Sequence, residues 1–407
     1  MENEKLVPKL RFSGFDDEWE ETTLIDISDK IGDGMHATPN YVDKSEYFFI
    51  NGNNLIDKQI VINENTKCVP LEEYESHKIN FNNTILMSIN GTIGNLAYYN
   101  NEKVILGKSS AYINLNDNIN KEFIFNYLQI GKIKYYFQSE LTGTTIKNLS
   151  LKTLKNTKIN LPNLREQNKI SDFLENVDKK ISLLENKHKY YQDFKKYLMQ
   201  QIFAQKLRFD FENDWEKFTL GDIGETYNGL SGLSKDNFEK GNSRYITYKS
   251  IFDNNVLIDD LTEPVDLNNK SQNNVEKGDL FFTGSSETPE EVGMVSVLNF
   301  DIDNCYLNSF CFGYRLKDLT KVNPIFLAYY LRSPIMRNKI QILAQGSTRF
   351  NLSKKEILKL KINVPEMKEQ IKILDLMQNN DKLLKNTSCQ ITEMNLFKKS
   401  LLQQMFV

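Results

Sequence analysis

The sequence predicts a mixed α/β fold, in which two α/β domains are joined by two long helices that form an antiparallel coiled coil. The first observation is that segment 148–162, NLSLKTLKNTKINLP, returns at 351–365 as NLSKKEILKLKINVP, about half a chain later. The second is that a strand-rich stretch precedes each copy, and the third is that a heptad pattern follows each. Because the period is far too long for a solenoid, we predict a duplicated domain plus helix.

Further matches predict that the duplication is cyclic and pseudo-two-fold. FKKYLMQQIF at 194–203 matches FKKSLLQQMF at 397–406, and KLRF occurs at both 9–12 and 206–209. The first copy runs from its helix into KLRF, whereas the second stops at Met405-Phe406-Val407 and its KLRF stands near the start of the chain. We therefore expect the N-terminal arm to lie beside the C-terminal helix and to complete the second copy.

Short strands and turns dominate the stretches of about 20–160 and 217–363. Runs rich in β-branched and aromatic residues, separated by Asn- and Gly-rich turns, predict strands. These strands are YFFI (47–50), NTILMSI (83–89), NVEKGDLFF (274–282) and CYLNSFCFGYRL (305–316). A short helix is predicted near the end of each stretch, at FIFNYLQ (123–129) and FLAYYLR (326–332).

A Gly/Thr-rich loop and a capped turn close each predicted domain. The loops are GTTIK (143–147) and GSTRF (346–350), and Ser150 and Ser353 follow them at helix N-cap positions. Ser353 and Glu356 also have the S-x-x-E spacing of a capping box. The strands KINLP and KINVP then lead out of the domains, and each ends at its proline.

The two long helices are predicted from heptads. Positions 164–204 contain no Pro or Gly, and apolar side chains recur at coiled-coil spacing there and in the second copy. The alternative is a single amphipathic helix packed on its own domain. A 40-residue helix would span ~60 Å, long enough to hold two domains apart. The predicted seam residues are Ile170, Leu174, Val177, Ile181, Leu184, Tyr191, Leu198, Ile202, Met377, Leu384, Ile391, Met394, Leu401 and Met405.

Composition bounds the class of protein. The 407 residues are 40% hydrophobic, which is typical of folded domains, and four scattered cysteines form no C-x-x-C pair. The charged start MENEKLVPKL lacks the apolar core of a signal peptide, so we expect reduced thiols and a cytoplasmic location. A net charge of −3 argues weakly against a nucleic-acid binder acting alone, although local patches or a partner can supply positive charge.

Three motifs resemble catalytic signatures but lack required parts. NPIF begins at Asn323 without the second proline of a methyltransferase motif, and Asn323 as N-cap with Pro324 explains it. GKSS at 107–110 would need a glycine at Glu102 to be a phosphate loop. PEMKE at 365–369 lacks the upstream proline–aspartate of some nucleases. The chain itself is therefore predicted to be a reader and not an enzyme.

The three histidines lack metal-ligand spacing. His188 lies among seam positions and is predicted to be structural. Asp33, His36 and Thr38 stand together in the turn-rich loop GDGMHATP (32–39). That loop is either an ordinary surface turn or a set of hydrogen-bonding groups for a ligand.

Taken in order, these segments make the chain resemble the specificity subunit of type I restriction–modification systems. GTTIKNLS and GSTRFNLS resemble the family's domain-ending pattern, and Glu166-Gln167 and Glu369-Gln370 fall where its helices begin. DGMHATP is similar to a loop of its recognition domains, whereas the second domain has NGLSGLSK (228–235) instead. This difference suggests that the two domains read different sequences.

The resemblance implies target-recognition domains at 19–162 and 207–365, each reading one half of a bipartite, asymmetric DNA site. A central coiled-coil helix (163–206) and a distal one (366–407), completed by the arm 1–18, would set the gap and dock two methyltransferase subunits. Those subunits would carry S-adenosylmethionine and methylate adenine, and restriction subunits would use ATP and Mg. The chain itself would catalyse nothing and hold no metal or cofactor.

DNA contacts are expected from polar and cationic side chains on loops, because such groups bind base edges and phosphates. A turn-forming or solvated role is the alternative for each. In the first domain the candidates are Asp33, His36, Thr38, Asn51, Asn53, Asn90, Lys108, Ser109, Thr144, Thr145 and Lys147. In the second domain they are Lys249, Ser285, Ser286, Asn308, Ser309, Thr348 and Arg349.

Two other functions remain open from the sequence. An interaction scaffold, with a coiled coil and adhesive domains but no DNA specificity, is the main alternative. A self-contained methyltransferase or nuclease is disfavoured because its cofactor and metal motifs are absent.

Overall fold

In each half of the chain a mixed α/β domain is followed by one long helix. Contacts divide the chain into two units, the first comprising Met1–Leu184 with Cys389–Val407 and the second Glu185–Ser388. Each unit thus contains one α/β domain and a part of both long helices. This computed structural model describes residues 5–143, 146–211, 213–257, 261–268 and 270–407.

The first α/β domain is built on a four-stranded antiparallel sheet in the order β2-β10-β7-β8. Its central strands are almost wholly buried, and the apolar side chains of one face pack against the following helices. The elements are β1 (Glu20–Thr23), β2 (Ser28–Asp33), β3 (Phe48–Ile50), β4 (Leu55–Ile56), β5 (Gln59–Ile60), β6 (Lys67–Cys68), α1 (Leu71–His77), β7 (Thr84–Ser88), β8 (Leu96–Tyr99), β9 (Val104–Leu106), β10 (Ser110–Leu115), α2 (Lys121–Tyr127), α3 (Gly131–Ser139), α4 (Leu151–Lys155), β11 (Lys158–Leu161) and α5 (Leu164–Phe203).

The second α/β domain has a five-stranded sheet in the order β13-β21-β17-β19-β15, in which only the β15–β19 pair is parallel among the described strands. Its elements are β12 (Glu216–Thr219), α6 (Leu220–Ile223), β13 (Gly224–Asn228), β14 (Phe238–Ile246), α7 (Tyr248–Asp253), β15 (Val256–Leu257), β16 (Thr262–Val265), β17 (Leu280–Thr283), β18 (Ser285–Ser286), β19 (Val295–Leu298), β20 (Cys305–Leu307), β21 (Cys311–Leu316), α8 (Pro324–Leu331), α9 (Pro334–Ile342), β22 (Ala344–Gln345), β23 (Phe350–Leu352), α10 (Lys354–Leu358), β24 (Lys361–Val364) and α11 (Met367–Gln404).

Helix caps in the two copies differ from the sequence prediction at one position. Ser150 accepts a hydrogen bond from the Thr153 amide at 3.0 Å, as an N-cap does. Ser353 occupies the equivalent N-cap but makes no side-chain cap hydrogen bond, so the predicted capping box is wrong. Glu356 instead pairs with Lys359 at 2.7 Å, which removes the carboxylate from the cap.

The strand predicted at 274–282 is also shorter than expected. Only Leu280–Thr283 is extended, because the residues before it form a turn in which the Asp279 amide donates to the Glu276 carbonyl at 3.0 Å. Arg315 then donates to both carboxylate oxygens of Asp279 at 2.7 Å each. The turn gives the buried Asp279 carboxylate the charged partner that burial requires.

The two long helices run antiparallel within the second unit. His188 Nδ1 lies 2.9 Å from Thr387 Oγ1, and Lys195 Nζ lies 2.5 Å from Asp381 Oδ1, so α11 runs backward as α5 runs forward. The predicted seam residues are buried or half-buried at every position. Those buried outright are Ile170, Leu174, Val177, Ile181, Leu184, Leu198, Ile202, Met377, Leu401 and Met405.

The N-terminal arm lies against the C-terminal residues of α11 in the first unit. The Leu10 amide donates to the Gln404 carbonyl at 2.9 Å. Trp19 and Phe123 pack edge-on or tilted against Phe406, with ring centroids 6.4 Å and 5.2 Å away. The arm therefore joins the hydrophobic core of the first domain to the end of the last helix.

The second unit repeats this aromatic cluster from contiguous chain. Trp215 and Phe326 contact each other at 6.2 Å between ring centroids, and Phe203 lies 5.8 Å from Phe326. Phe203 ends α5 and so occupies the place that Phe406 holds in the first unit. In the described part of the chain, no helix combines the length and hydrophobicity needed to cross a membrane.

Candidate nucleic-acid interface

One edge of the main sheet in the first unit gathers most of the predicted residues. Strands β2 and β7 end at this edge and β10 begins there, because Asp33 pairs with Ala111 and Ser88 pairs with Ser110. The loops after β2 and β7 and before β10 are therefore side by side.

Two of the predicted residues, Asn51 and Ser109, hold the turn before β10 in place by hydrogen bonds. Ser109 donates to Asn51 Oδ1 at 3.0 Å and accepts from the Gly52 amide at 3.1 Å. A side chain at Gly52 would meet Ser88, so the close approach requires glycine. Asn51 and Ser109 are half-buried and orient the turn, whereas Asn53 and Lys108 are exposed on it.

The domain-ending loop lies against the loop that follows β7. The Gly91 amide donates to the Lys147 carbonyl at 3.0 Å, and the Asn90 side chain donates to Asn148 at 3.4 Å. Lys147 is exposed and Asn90 is half-buried, so this edge presents a lysine ammonium to solvent. Two further predicted residues, Thr144 and Thr145, lie outside the described residues.

The loop after β2 stands beside the same turn. The Met35 amide donates to the Leu106 carbonyl at 2.8 Å, which holds the loop next to the end of β9. His36 Nε2 lies 2.8 Å from Asp33 Oδ2, and the His36 side chain is 73% exposed. Thr38 is also exposed. The pair offers a ring nitrogen and a carboxylate to a ligand, without the buried nucleophile of a catalytic triad.

A polar cleft of about 350 Å³ next to this loop was not foreseen from the sequence. It is lined by Asp33, His77 and Lys30, among others. The Lys30 ammonium lies 5.4 Å from the centroid of Phe81, an attractive cation–π distance. His77 gave no signal because it is distant in sequence and sits alone in a polar segment.

The second unit gathers residues at the equivalent edge of its sheet. Strands β13 and β17 end there and β21 begins there, because Asn228 pairs with Phe312 and Thr283 with Cys311. A cleft of about 340 Å³ opens at this edge. Its lining includes Asn228, Gly229, Ser231, Ser285, Ser309, Phe310, Asn351 and Lys354.

Two predicted residues of the second domain are buried. Ser285 and Ser286 are each 8% exposed in strand β18, and Ser286 donates to Glu291 at 2.9 Å. The Ser286 hydroxyl has an internal partner and supports the edge from within, whereas Ser285 lines the cleft with little exposed surface. Lys249 is exposed on α7 and is paired with Asp253 at 2.5 Å.

The turn before β21 and the loop before β23 carry the remaining predicted residues. Asn308 accepts from the Phe310 amide at 2.9 Å and so shapes the turn, while Ser309, Thr348 and Arg349 are exposed. The Arg349 guanidinium lies 5.2 Å from the centroid of the Phe310 ring. Sequence reasoning missed Phe310, although a large aromatic residue inside a polar turn was a usable signal.

Two ionisable groups lie beneath this cleft, and burial disfavours the charged form of each. Burial raises the pKa of the Cys311 thiol to about 12, and it also raises the pKa of Tyr248. Near neutral pH, therefore, the charge of this edge comes from side chains such as Arg349 and Lys354. Lys354 also hydrogen-bonds to Asn228.

Both edges present amides, hydroxyls and cations on loops, which are the groups that contact base edges and phosphates in DNA grooves. Within the described residues, no group of three His, Cys, Asp or Glu side chains could hold a metal ion. The arrangement suits recognition of a polar, anionic ligand.

Comparison with known proteins agrees with this arrangement. The sequence profile of the type I restriction modification DNA specificity domain matches residues 16–190 and 212–393. A protein of Methanocaldococcus jannaschii named as a candidate type I restriction enzyme MjaX specificity subunit is 24% identical, over 90% of this chain and 88% of its own. The type I restriction enzyme MjaVIII specificity subunit of the same organism is 23% identical, over 61% of each chain.

Solved structures share the fold. The S subunit of a type I restriction–modification system from M. genitalium has a TM-score of 0.56 at 17% identity, covering 98% of this chain and 99% of its own. A chain from a study of complex assembly and conformational transition of the type I R-M system has a TM-score of 0.62 at 17% identity, covering 95% and 97%. Because the two profile matches together span most of the sequence, the chain belongs to the family of type I restriction–modification DNA specificity subunits, with two tandem target-recognition domains.

Proposed function

We propose that this chain is the non-catalytic DNA-recognition subunit of a type I restriction–modification complex. Its recognition domains, at 19–162 and 207–365, each bind one half of a bipartite and asymmetric DNA site. The paired helices, at 163–206 and 366–407, set the distance between the half-sites and dock two methyltransferase subunits. The arm 1–18 belongs to the distal helical region.

One observation carries the proposal. Both domains present polar loops at the same edge of an equivalent sheet, but with different side chains. The first edge offers Lys108 and the Asp33–His36 pair, and the second offers Ser309 and Arg349. Two similar sheet edges that carry different exposed groups fit a protein that reads two unlike half-sites, because hydrogen-bonding groups and charges select the bases.

The partners supply the chemistry in this proposal. Methyltransferase subunits carry S-adenosylmethionine and methylate adenine, and restriction subunits use ATP and Mg to cleave DNA. The chain itself only positions these partners at the recognised DNA site. Its net charge of −3 fits this division, because a complex can place much of its positive field on other subunits.

The decisive experiment is co-expression with the neighbouring methyltransferase in a host without DNA methylation, followed by genome-wide mapping of methylated adenines. We expect a single bipartite motif that disappears when this chain is omitted. Absence of new methylation, with the methyltransferase shown to be folded and bound to this chain, would contradict the proposal and favour an interaction scaffold.

A further inference from the structure

Phe310 is an exposed aromatic residue in an otherwise polar turn. It is 54% exposed at the second-domain edge and lines the cleft with Ser309 and Lys354. Exposing an aromatic ring to water is unfavourable, and a single exposed apolar residue would carry no meaning alone. The backbone around it and the arginine above it give this ring a defined position.

Three hydrogen bonds fix the backbone of the turn. The Phe310 amide donates to Asn308 Oδ1 at 2.9 Å, and the Phe310 carbonyl accepts from the Gly284 amide at 2.8 Å. The Cys311 amide donates to the Asn308 carbonyl at 3.0 Å. A side chain on Gly284 would clash with the Phe310 carbonyl, so the contact requires glycine. The backbone that carries the ring is therefore held in one position, and the ring projects from it into solvent.

The first domain builds the same turn with a different side chain. Ser109 occupies the equivalent place, since its carbonyl accepts from the Ile89 amide at 2.9 Å and the Ser110 amide donates to the Gly107 carbonyl at 3.0 Å. The Ser109 hydroxyl turns inward to Asn51, as described above. Because this frame forms with serine in the first domain, the turn itself does not require an exposed phenyl ring.

Arg349 covers one side of the Phe310 ring. The guanidinium lies 5.2 Å from the ring centroid, and among the described residues no carboxylate forms an ion pair with Arg349. Its equivalent in the first domain is Ile146, because the Leu149 and Leu352 amides donate to matching carbonyls, of Ile89 and Gly284. The phenyl ring and the free cation thus occur together in one domain only.

We propose that Phe310 reads a thymine in the half-site of the second domain, by contact between its ring and the thymine C5-methyl group in the major groove. This inference rests on the proposed function. Apolar side chains recognise that methyl group, which distinguishes thymine from the other bases. With one side of the ring covered by Arg349, the ring cannot stack between two base pairs, but its open side can meet a methyl group. Arg349 holds the ring and adds a positive charge beside the DNA backbone.

The test uses the complex with its methyltransferase and a duplex carrying the mapped site. Each thymine of the second half-site is replaced in turn by deoxyuridine, which removes only the methyl group. At one position we expect about a fourfold loss of affinity for the unchanged protein, the effect of one buried methyl-sized group. With Phe310→Ser, which installs the residue of the first domain, the same replacement should have no effect.

Leu319→Ala is the matched control. Leu319 is also 54% exposed, but it lies near Gly278, at the opposite end of strand β17. Leu319→Ala should keep the thymine profile of the unchanged protein. Thermal unfolding of Phe310→Ser at the temperature of the unchanged protein would establish that the second unit is folded, and Phe310→Leu should retain part of the methyl effect.

The possible outcomes distinguish a failure of the thymine contact from a failure of the proposed function. A deoxyuridine profile that is the same in Phe310→Ser and the unchanged protein would overturn the thymine contact while leaving the specificity function intact. Failure of the unchanged complex to prefer any sequence would overturn the proposed function, and the contact with it.

Discussion

Arg11 and Glu166 form a bidentate ion pair between the N-terminal arm and the first turn of α5. Arg11 Nε and Nη2 each donate to one carboxylate oxygen of Glu166 at 2.8 Å, and the Glu166 side chain is 1% exposed. Arg208 and Glu369 repeat the arrangement at 3.2 Å and 2.9 Å. Hydrogen bonding to Glu166 raises the pKa of Arg11, which favours the charged guanidinium.

Arg11→Ala should destabilise the first unit, because it leaves a buried carboxylate without its partner. Removal of one member of a buried pair costs roughly 3–5 kcal/mol. Thermal unfolding would measure the loss, with Lys9→Ala on the exposed part of the arm as the control. Replacing both members, with Arg11→Met and Glu166→Met, should recover part of the stability; no recovery would mean that the charge itself is not the cause.

Arg349→Ala should weaken binding at the second half-site only. Arg349 is exposed at the edge of the second domain, and the equivalent residue of the first domain is not charged. Loss of one phosphate contact should lower the slope of affinity against salt by about 1. Footprinting of each half-site measures this, with Lys147→Ala as the counterpart for the first half-site. Equal weakening at both half-sites would refute the assignment of Arg349.

One heptad inserted within 170–198, with a matching heptad in α11, should lengthen the tolerated gap between half-sites and leave their bases unchanged. Seven residues add about 10 Å of helix, close to the length of three base pairs. Methylation mapping of the variant would report both properties together. An unchanged gap would show that these helices do not set the spacing.

Alkylation at pH 8 should label Cys389 and spare Cys305 and Cys311. Cys389 is exposed on α11, whereas burial raises the pKa of Cys305 to about 11 and that of Cys311 to about 12. The thiolate is the reactive form, and it is scarce well below the pKa. Mass spectrometry after a short exposure to iodoacetamide measures the labelling, and unfolding in guanidinium should make all of these thiols reactive. Rapid native labelling of Cys311 would contradict the described packing of β21.

Long-period repetition made the architecture predictable from sequence. The matching segments and heptads predicted two α/β domains and two long antiparallel helices, since each match repeats the same local chemistry. The cap at Asn323 was predicted as well, and its side chain accepts from the amides of Ile325 and Phe326. Such features depend on residues that are close in sequence, so sequence patterns can predict them.

The interface was less predictable, because it depends on which way short side chains turn. Ser109 and Ser309 were both predicted to contact DNA, yet Ser109 turns inward to Asn51 and Ser309 is exposed. Ser285 and Ser286 looked like loop residues but pair as a strand with residues 350–351. Phe310 was not predicted, because the arginine that lies over its ring comes from a loop that is distant in sequence.

The aromatic contact between Trp19 and Phe406 sets an order of maturation during synthesis. The core of the first unit includes Leu401, Met405 and Phe406, which leave the ribosome after the whole of the second unit, because the second unit is a contiguous stretch that ends at residue 388. The domain made first is therefore completed after the second. A chain truncated after residue 388 and released from the ribosome should bury the second core while the first stays open to proteases and chaperones.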